Sequence, residues 1–198
     1  MDLGLPSGTK WATQNVGARK PSDYGLYFAW GDNSGYTADQ VGTGEGQKKF
    51  AEDWSDYKWG VRPNFTKYTT KGATLELEDD AAHVYMGGDW HMPSRSQCQE
   101  LFGNTTTAWT TSDGIKGITL TSKKDTSKSI FIPTAGYASN GSVKKRGAEA
   151  AVWSSLSEME GDVVTSGVFL NLEENFLTKP GLEYLYRSRG ISVRGVIG

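Results

Sequence analysis

Glycine recurs 25 times in 198 residues, about twice the usual ~7%. It comes with 12% aromatic residues, so the chain mixes turn-forming positions with large anchors. Such a composition points to a turn-rich fold with strands and away from a helical bundle. Hydrophobic residues make up 36%, enough for one sizeable core and short of two, so residues 1–198 are expected to form a single domain.

Charge and chemistry narrow the function. Twenty-one basic against 23 acidic residues leave a net charge of −2, with both signs scattered, and no long positive field invites nucleic acid. No apolar run approaches the ~18 residues of a transmembrane helix. The first residues, Met1-Asp2-Leu3-Gly4-Leu5-Pro6, lack the basic and apolar regions of a signal peptide. A soluble chain without membrane insertion is the expectation. Cys98 is the single cysteine, and His83 and His91 are the two histidines. That inventory excludes an internal disulfide, a Cys₄ or Cys₂His₂ zinc site, two-thiol chemistry and a three-histidine metal centre.

Local patterns supply the elements. Residues 9–16 and 24–30 read as strands, and the polar, glycine-rich stretch 32–72 reads as an insertion carrying Trp54, Tyr57, Trp59, Phe65 and Tyr68. Asp79 and Asp80 precede a short helix at Ala81-Ala82-His83-Val84-Tyr85-Met86, which Gly87-Gly88 terminates. Ser94 and Gln97 form a capping box ahead of Cys98, Leu101 and Phe102, with Gly103-Asn104 as the stop. Beyond residue 104 the chain is β-rich: 105–111, 117–122, 129–133, 150–154, 163–172, 183–186 and 191–196. Strands early and late with two short helices between them predict an α+β fold.

Several blocks are recognisable. They are Asp2-Leu3-Gly4-Leu5-Pro6-Ser7-Gly8-Thr9-Lys10-Trp11-Ala12, Tyr24-Gly25-Leu26-Tyr27-Phe28-Ala29-Trp30-Gly31, Glu78-Asp79-Asp80-Ala81-Ala82 and Gly88-Asp89-Trp90-His91-Met92-Pro93-Ser94. The order continues with Ile130-Phe131-Ile132-Pro133-Thr134-Ala135-Gly136-Tyr137, Trp153-Ser154-Ser155 and Gly190-Ile191-Ser192-Val193-Arg194. Over nearly its whole length the chain thereby resembles the Fibrobacter succinogenes major paralogous domain, common in gut Bacteroidota. It departs from the family pattern at His91, where arginine is usual, and at Arg194-Gly195, where Arg-Pro or Arg-Cys is usual. The resemblance implies a C-type lectin-like fold, related to the formylglycine-generating enzyme group and to the variable proteins of diversity-generating retroelements. It also implies an extracellular or cell-surface setting.

The same relatives frame the candidate sites. Formylglycine-generating chemistry relies on a pair of copper-binding cysteines, and the iron sulfoxide synthases of this fold use three histidines; neither set is available here. Cys98 falls on an inward helical stripe, where a cysteine is usually a buried hydrophobe. Glu76, Glu78, Asp79 and Asp80 offer hard oxygen ligands for calcium, yet their spacing suits helix N-terminal capping better. Trp11, Trp30, Trp90 and Trp153 lie within family blocks and are expected in the core. Trp54 and Trp59 are open to either role, pinning the insertion or stacking on a glycan.

The main expectation falls on residues 156–189, since the retroelement proteins diversify this region to change what they bind, and loops on a rigid scaffold concentrate recognition. Glu158, Glu160, Asn171, Glu173, Asn175, Tyr184 and Arg187 are expected exposed there, offering carboxylate, amide, phenol and guanidinium contacts to a protein receptor or glycan. The chain is thus expected to be a non-catalytic binding or adhesion module. The alternatives are a retroelement-diversified receptor-binding protein, phage-borne ones included, and a degenerate formylglycine-generating-type enzyme.

Overall fold

A computed structural model describes residues 1–160, 163–173 and 181–198, apart from the side chains of Met159, Glu160 and Glu173. Helix α1 (Ala81–Met86) starts where Asp80 accepts a hydrogen bond from the His83 N–H at 3.0 Å, and it ends at Gly87, whose φ of 69° suits glycine. Helix α2 (Arg95–Asn104) opens on the expected capping box. The Ser94 hydroxyl accepts from the Gln97 N–H at 3.2 Å, and the Gln97 side chain accepts from the Ser94 N–H at 2.9 Å. The helix ends at Asn104, at the expected stop, although Gly103 does not take the left-handed conformation of a glycine cap. The Asn104 amide donates to the Glu100 carbonyl at 2.8 Å and the Thr105 hydroxyl to the Leu101 carbonyl at 2.7 Å. With two terminal carbonyls satisfied, the chain passes straight from helix into strand.

Before the helices the strands are short: β1 (Lys10–Trp11), β2 (Tyr27–Phe28), β3 (Gly60–Val61) and β4 (Asn64–Phe65). The strand expected over 9–16 shrinks to β1 because Ala12 and Val16 donate singly to the carbonyls of Gly195 and Val193, at 2.9 and 2.8 Å, instead of forming a ladder. After the helices come β5 (Thr105–Ser112), β6 (Ile115–Ser122) and β7 (Ser129–Pro133), an antiparallel meander. A small hairpin follows, β8 (Tyr137–Ser139) and β9 (Ser142–Lys144). The long strands are β10 (Glu149–Glu160) and β11 (Val163–Glu173), succeeded by β12 (Gly181–Tyr186), β13 (Ile191–Ser192) and β14 (Val196–Ile197). The main sheet has the order β12-β11-β10-β13-β2, antiparallel except for β10 against β13. The chain is therefore α+β, with two short α-helices and mostly antiparallel sheets among the described residues, of which no helix is long and apolar enough to cross a membrane.

Both faces of β10 and β11 are buried, and strand periodicity shows how. Ala150, Val152, Leu170 and Leu172 face one core with Trp11, Cys98, Leu101, Leu120 and Ile132. Ala151, Trp153 and Phe169 face a second with Phe28, Trp30, Ile191 and Val193. Each large side chain so enclosed contributes about 1.5–3 kcal/mol. The Trp153 indole N–H donates to the Phe28 carbonyl at 2.8 Å and that of Trp30 to the Ser154 carbonyl at 2.9 Å, so both rings are buried without loss of a polar partner. Between them sits Gly167, where a Cβ would fall 2.7 Å from Trp30 and 2.9 Å from Trp153. A side chain there would separate the two indoles.

Candidate functional site

The insertion 32–72 is built as an internal structure. Asp56 accepts from the backbone N–H groups of Lys49, Phe50 and Ala51 at 3.1, 2.9 and 2.8 Å, gathering the loop around one carboxylate. Trp54 is only 4% exposed and packs edge-on against Tyr57 and Phe65, at centroid distances of 5.3 and 5.0 Å. Trp59 is half-buried, its indole N–H donating to the Gly31 carbonyl at 2.7 Å. The two rings considered for glycan stacking are thus engaged by the protein.

Tyr57 and Phe65, the neighbours of Trp54, pack on a cation from far along the chain. Arg187, expected on the surface, has 0% exposure. Its guanidinium lies 4.5 Å from the Phe65 ring centroid, 5.5 Å from Trp30 and 5.6 Å from Tyr57, and one nitrogen donates to the Tyr68 carbonyl at 3.0 Å. Burial lowers its pKa, and Nε and Nη2 have no hydrogen-bond partner. Aromatic faces stand where a carboxylate would usually be.

The candidate calcium ligands have their own cation. Oxygens of Glu76, Glu78 and Asp79 lie within 4.8 Å of one another. Lys67 Nζ reaches all three at 2.7, 3.1 and 2.6 Å, while Lys58 Nζ reaches Asp79 at 2.9 Å. The Tyr68 hydroxyl also donates to Asp79, at 2.8 Å. Burial acts to raise the Asp79 pKa, but the bonds from Lys67, Lys58 and Tyr68 prevail and hold it below its ordinary value. Asp80 serves instead as the α1 cap and accepts from the Met92 N–H at 2.8 Å.

The C-terminal candidates separate. Glu158 is half-buried and ion-paired with Lys71 at 3.3 Å. The backbones of Glu160 and Glu173 pair with Val163 and Glu149; their side chains, and Asn175 entirely, lie outside the described residues. Tyr184 is 51% exposed as expected. It stands opposite Val168, so its ring faces α2, where its hydroxyl accepts from Arg95 at 3.5 Å. Asn171, expected exposed, is 92% enclosed because it lies mid-sheet opposite Ala151 and Gly181.

Asn171 nevertheless lines a pocket of about 210 Å³ on the outer ends of β10–β12, with Glu149, Phe169, Glu183 and Leu185 from the sheet and Tyr137, Lys145 and Arg189 beside it. The Glu149 carboxylate is ion-paired with Lys145 at 3.1 Å. Arg189 donates to Glu52 through Nε at 2.9 Å and Nη2 at 2.7 Å. The Ser139 hydroxyl foremost, and then Arg189, lower the Glu52 pKa. Asn171 Oδ1 is buried with no donor, and Glu183 is exposed and has no hydrogen-bond or ion-pair partner among the described residues. Glu149, Lys145, Glu183 and Arg189 were absent from the sequence-derived set; the period-two spacing of 169/171 and 183/185 was the usable signal, and it required the strand register.

A larger cleft, about 530 Å³, lies between residues 12–18 and Tyr85, Met86 and Trp90. Trp90, expected in the core, is half-buried because it forms this wall. Cys98 is the buried hydrophobe expected, its thiol pushed up to about 12 by burial. Comparisons of the chain with family models, curated proteins and solved structures each gave no match.

Proposed function

We propose that this chain is a non-catalytic ligand-binding or adhesion module of a secreted or cell-surface bacterial protein. In this reading its α+β fold is of the C-type lectin-like kind, akin to the Fibrobacter succinogenes major paralogous domain, and it engages a protein receptor or a glycan through the pocket at the outer ends of β10–β12. The observation that carries the reading is the pocket in which Asn171 keeps an unmet acceptor beside the Glu183 carboxylate, which has no partner among the described residues. A buried polar atom without a partner costs about 1–3 kcal/mol, which a ligand donor would recover. A thiol held near 12 is not a nucleophile at neutral pH. His83 Nδ1 and His91 Nδ1 are each within hydrogen-bond distance of a backbone carbonyl, at 3.1 and 2.9 Å. These features favour binding over catalysis.

The cleft beside Trp90 is the competing location, since it is roomier and largely apolar, as ligand pockets usually are. The smaller pocket is preferred because it holds both an unmet buried polar atom and an unpaired charge. Glycan and surface-protein arrays probed with wild type, Glu183→Gln and Gln14→Ala decide between them. Loss of binding in Glu183→Gln alone supports the sheet pocket, and loss in Gln14→Ala alone moves the site to the cleft.

A further inference from the structure

We infer that the pocket on β10–β12 takes an alkylammonium group, a primary amine carried on a short apolar stem; this rests on the reading of that pocket as the binding site. The two cations there are held internally, Lys145 by Glu149 at 3.1 Å and Arg189 by Glu52 at 2.7 Å. Neither is in place to recognise an anion without giving up an ion pair. Among the described residues the Glu183 carboxylate has no partner, and Asn171 Oδ1 is buried with no donor.

Register puts these two on one face. Glu183 pairs with Phe169, and Asn171 lies two residues along the same strand from Phe169, so the carboxylate and the amide flank that ring. An ammonium carries three donors and no acceptor, and so serves a carboxylate and an amide oxygen together. Phe169 and Leu185 line the same pocket and supply apolar wall for methylene groups. A carboxylate ligand would meet Glu183 with like charge. A neutral polyol would bond to the acceptors but gain no charge pairing. A lysine side chain on a protein partner and a small free amine share the required chemistry.

Chemical-shift titration of the isotope-labelled full chain with four probes tests this: n-butylammonium, Nα-acetyl-lysine methylamide, acetate and methyl β-glucoside. The two amines are expected to shift the amides of β11 and β12 with dissociation constants in the ~mM range typical of so small a ligand, and to weaken in high salt. Glu183→Gln should weaken them about fivefold or more, and Asn171→Leu should weaken them as well. Glu183 is exposed, so its variant keeps the test alive if Asn171→Leu fails to fold. Tighter binding of the lysine derivative identifies a protein lysine as the source, and equal binding identifies a free amine; both outcomes support the inference. Tighter binding of acetate or glucoside at these amides, or an unchanged amine affinity in Glu183→Gln, overturns the ammonium assignment and leaves the site standing. If no probe moves these amides, both the assignment and the site fall.

Discussion

The insertion 32–72 and the pocket at the outer ends of β10–β12 look alike in composition, polar with interspersed aromatics, yet they resolve oppositely. In the insertion Tyr57 and Phe65 pack against the Arg187 guanidinium, Trp54 packs against both of them, and Asp56 ties the loop backbone. On the sheet, polar groups at alternate positions reach a pocket and Asn171 is left without a partner. The difference teaches that aromatic content marks where a loop is anchored, whereas an unmet polar group inside a regular sheet marks where something else can bind.

The sharpest way to break this contrast is Trp54→Ala. If the insertion is a core in its own right, the change costs about 3–5 kcal/mol in denaturant unfolding. A cost under ~1 kcal/mol would return Trp54 to the list of ligand platforms.

Arg187 comes next, and the two informative substitutions differ in direction. Arg187→Lys should destabilise by about 2 kcal/mol, because a compact ammonium keeps the buried charge but stacks poorly on Phe65. Arg187→Met removes the charge and the two unpartnered nitrogens while keeping most of the volume, so it should cost less than the lysine variant. The reverse order in melting experiments would show that hydrogen bonding, not ring contact, holds the insertion.

Acid should separate the regions as well. The Asp79 pKa is held below its ordinary 3.8, so the Lys67–Asp79 clamp contributes its full stability above that value and loses it as pH falls through the folded pKa. Hydrogen exchange should therefore rise around residues 67–79 below pH ~3.8, earlier than in β10 and β11. Uniform loss of protection across both would refute a local clamp.

The smallest effects belong to the pocket. Asn171→Leu should change stability by less than ~1 kcal/mol, since it removes an unsatisfied atom along with the amide, and Glu183→Gln by within ~0.5 kcal/mol. Larger losses would make these groups structural.

Legibility followed the range of the interactions. The Ser94–Gln97 box, the Asp80 cap and strand β7 were readable because their determinants lie within a few residues. The fates of Trp54 and Arg187 were not, because they lie 133 positions apart and each is buried through the same ring cluster, Phe65 and Tyr57. Asn171 reads as exposed because a lone polar residue in an otherwise apolar strand gives no hint of flanking strands on both sides. The pocket itself emerges only once β10, β11 and β12 are in register.

The pairing of β1 with β14, and of β2 with β13, bears on the order in which the molecule forms. The β5–β7 meander joins near neighbours, Thr105 with Ser122 and Thr121 with Ser129, and such contacts close quickly. Trp11 pairs with Val196 and Tyr27 with Ser192, so two strands from the start of the chain wait for partners from its far end. Long closures of this kind carry a higher entropic barrier and slow the final step. A chain emerging from the ribosome would hold α2 and the meander early, with Trp11 and Phe28 lacking their strand partners until residues 191–197 arrive.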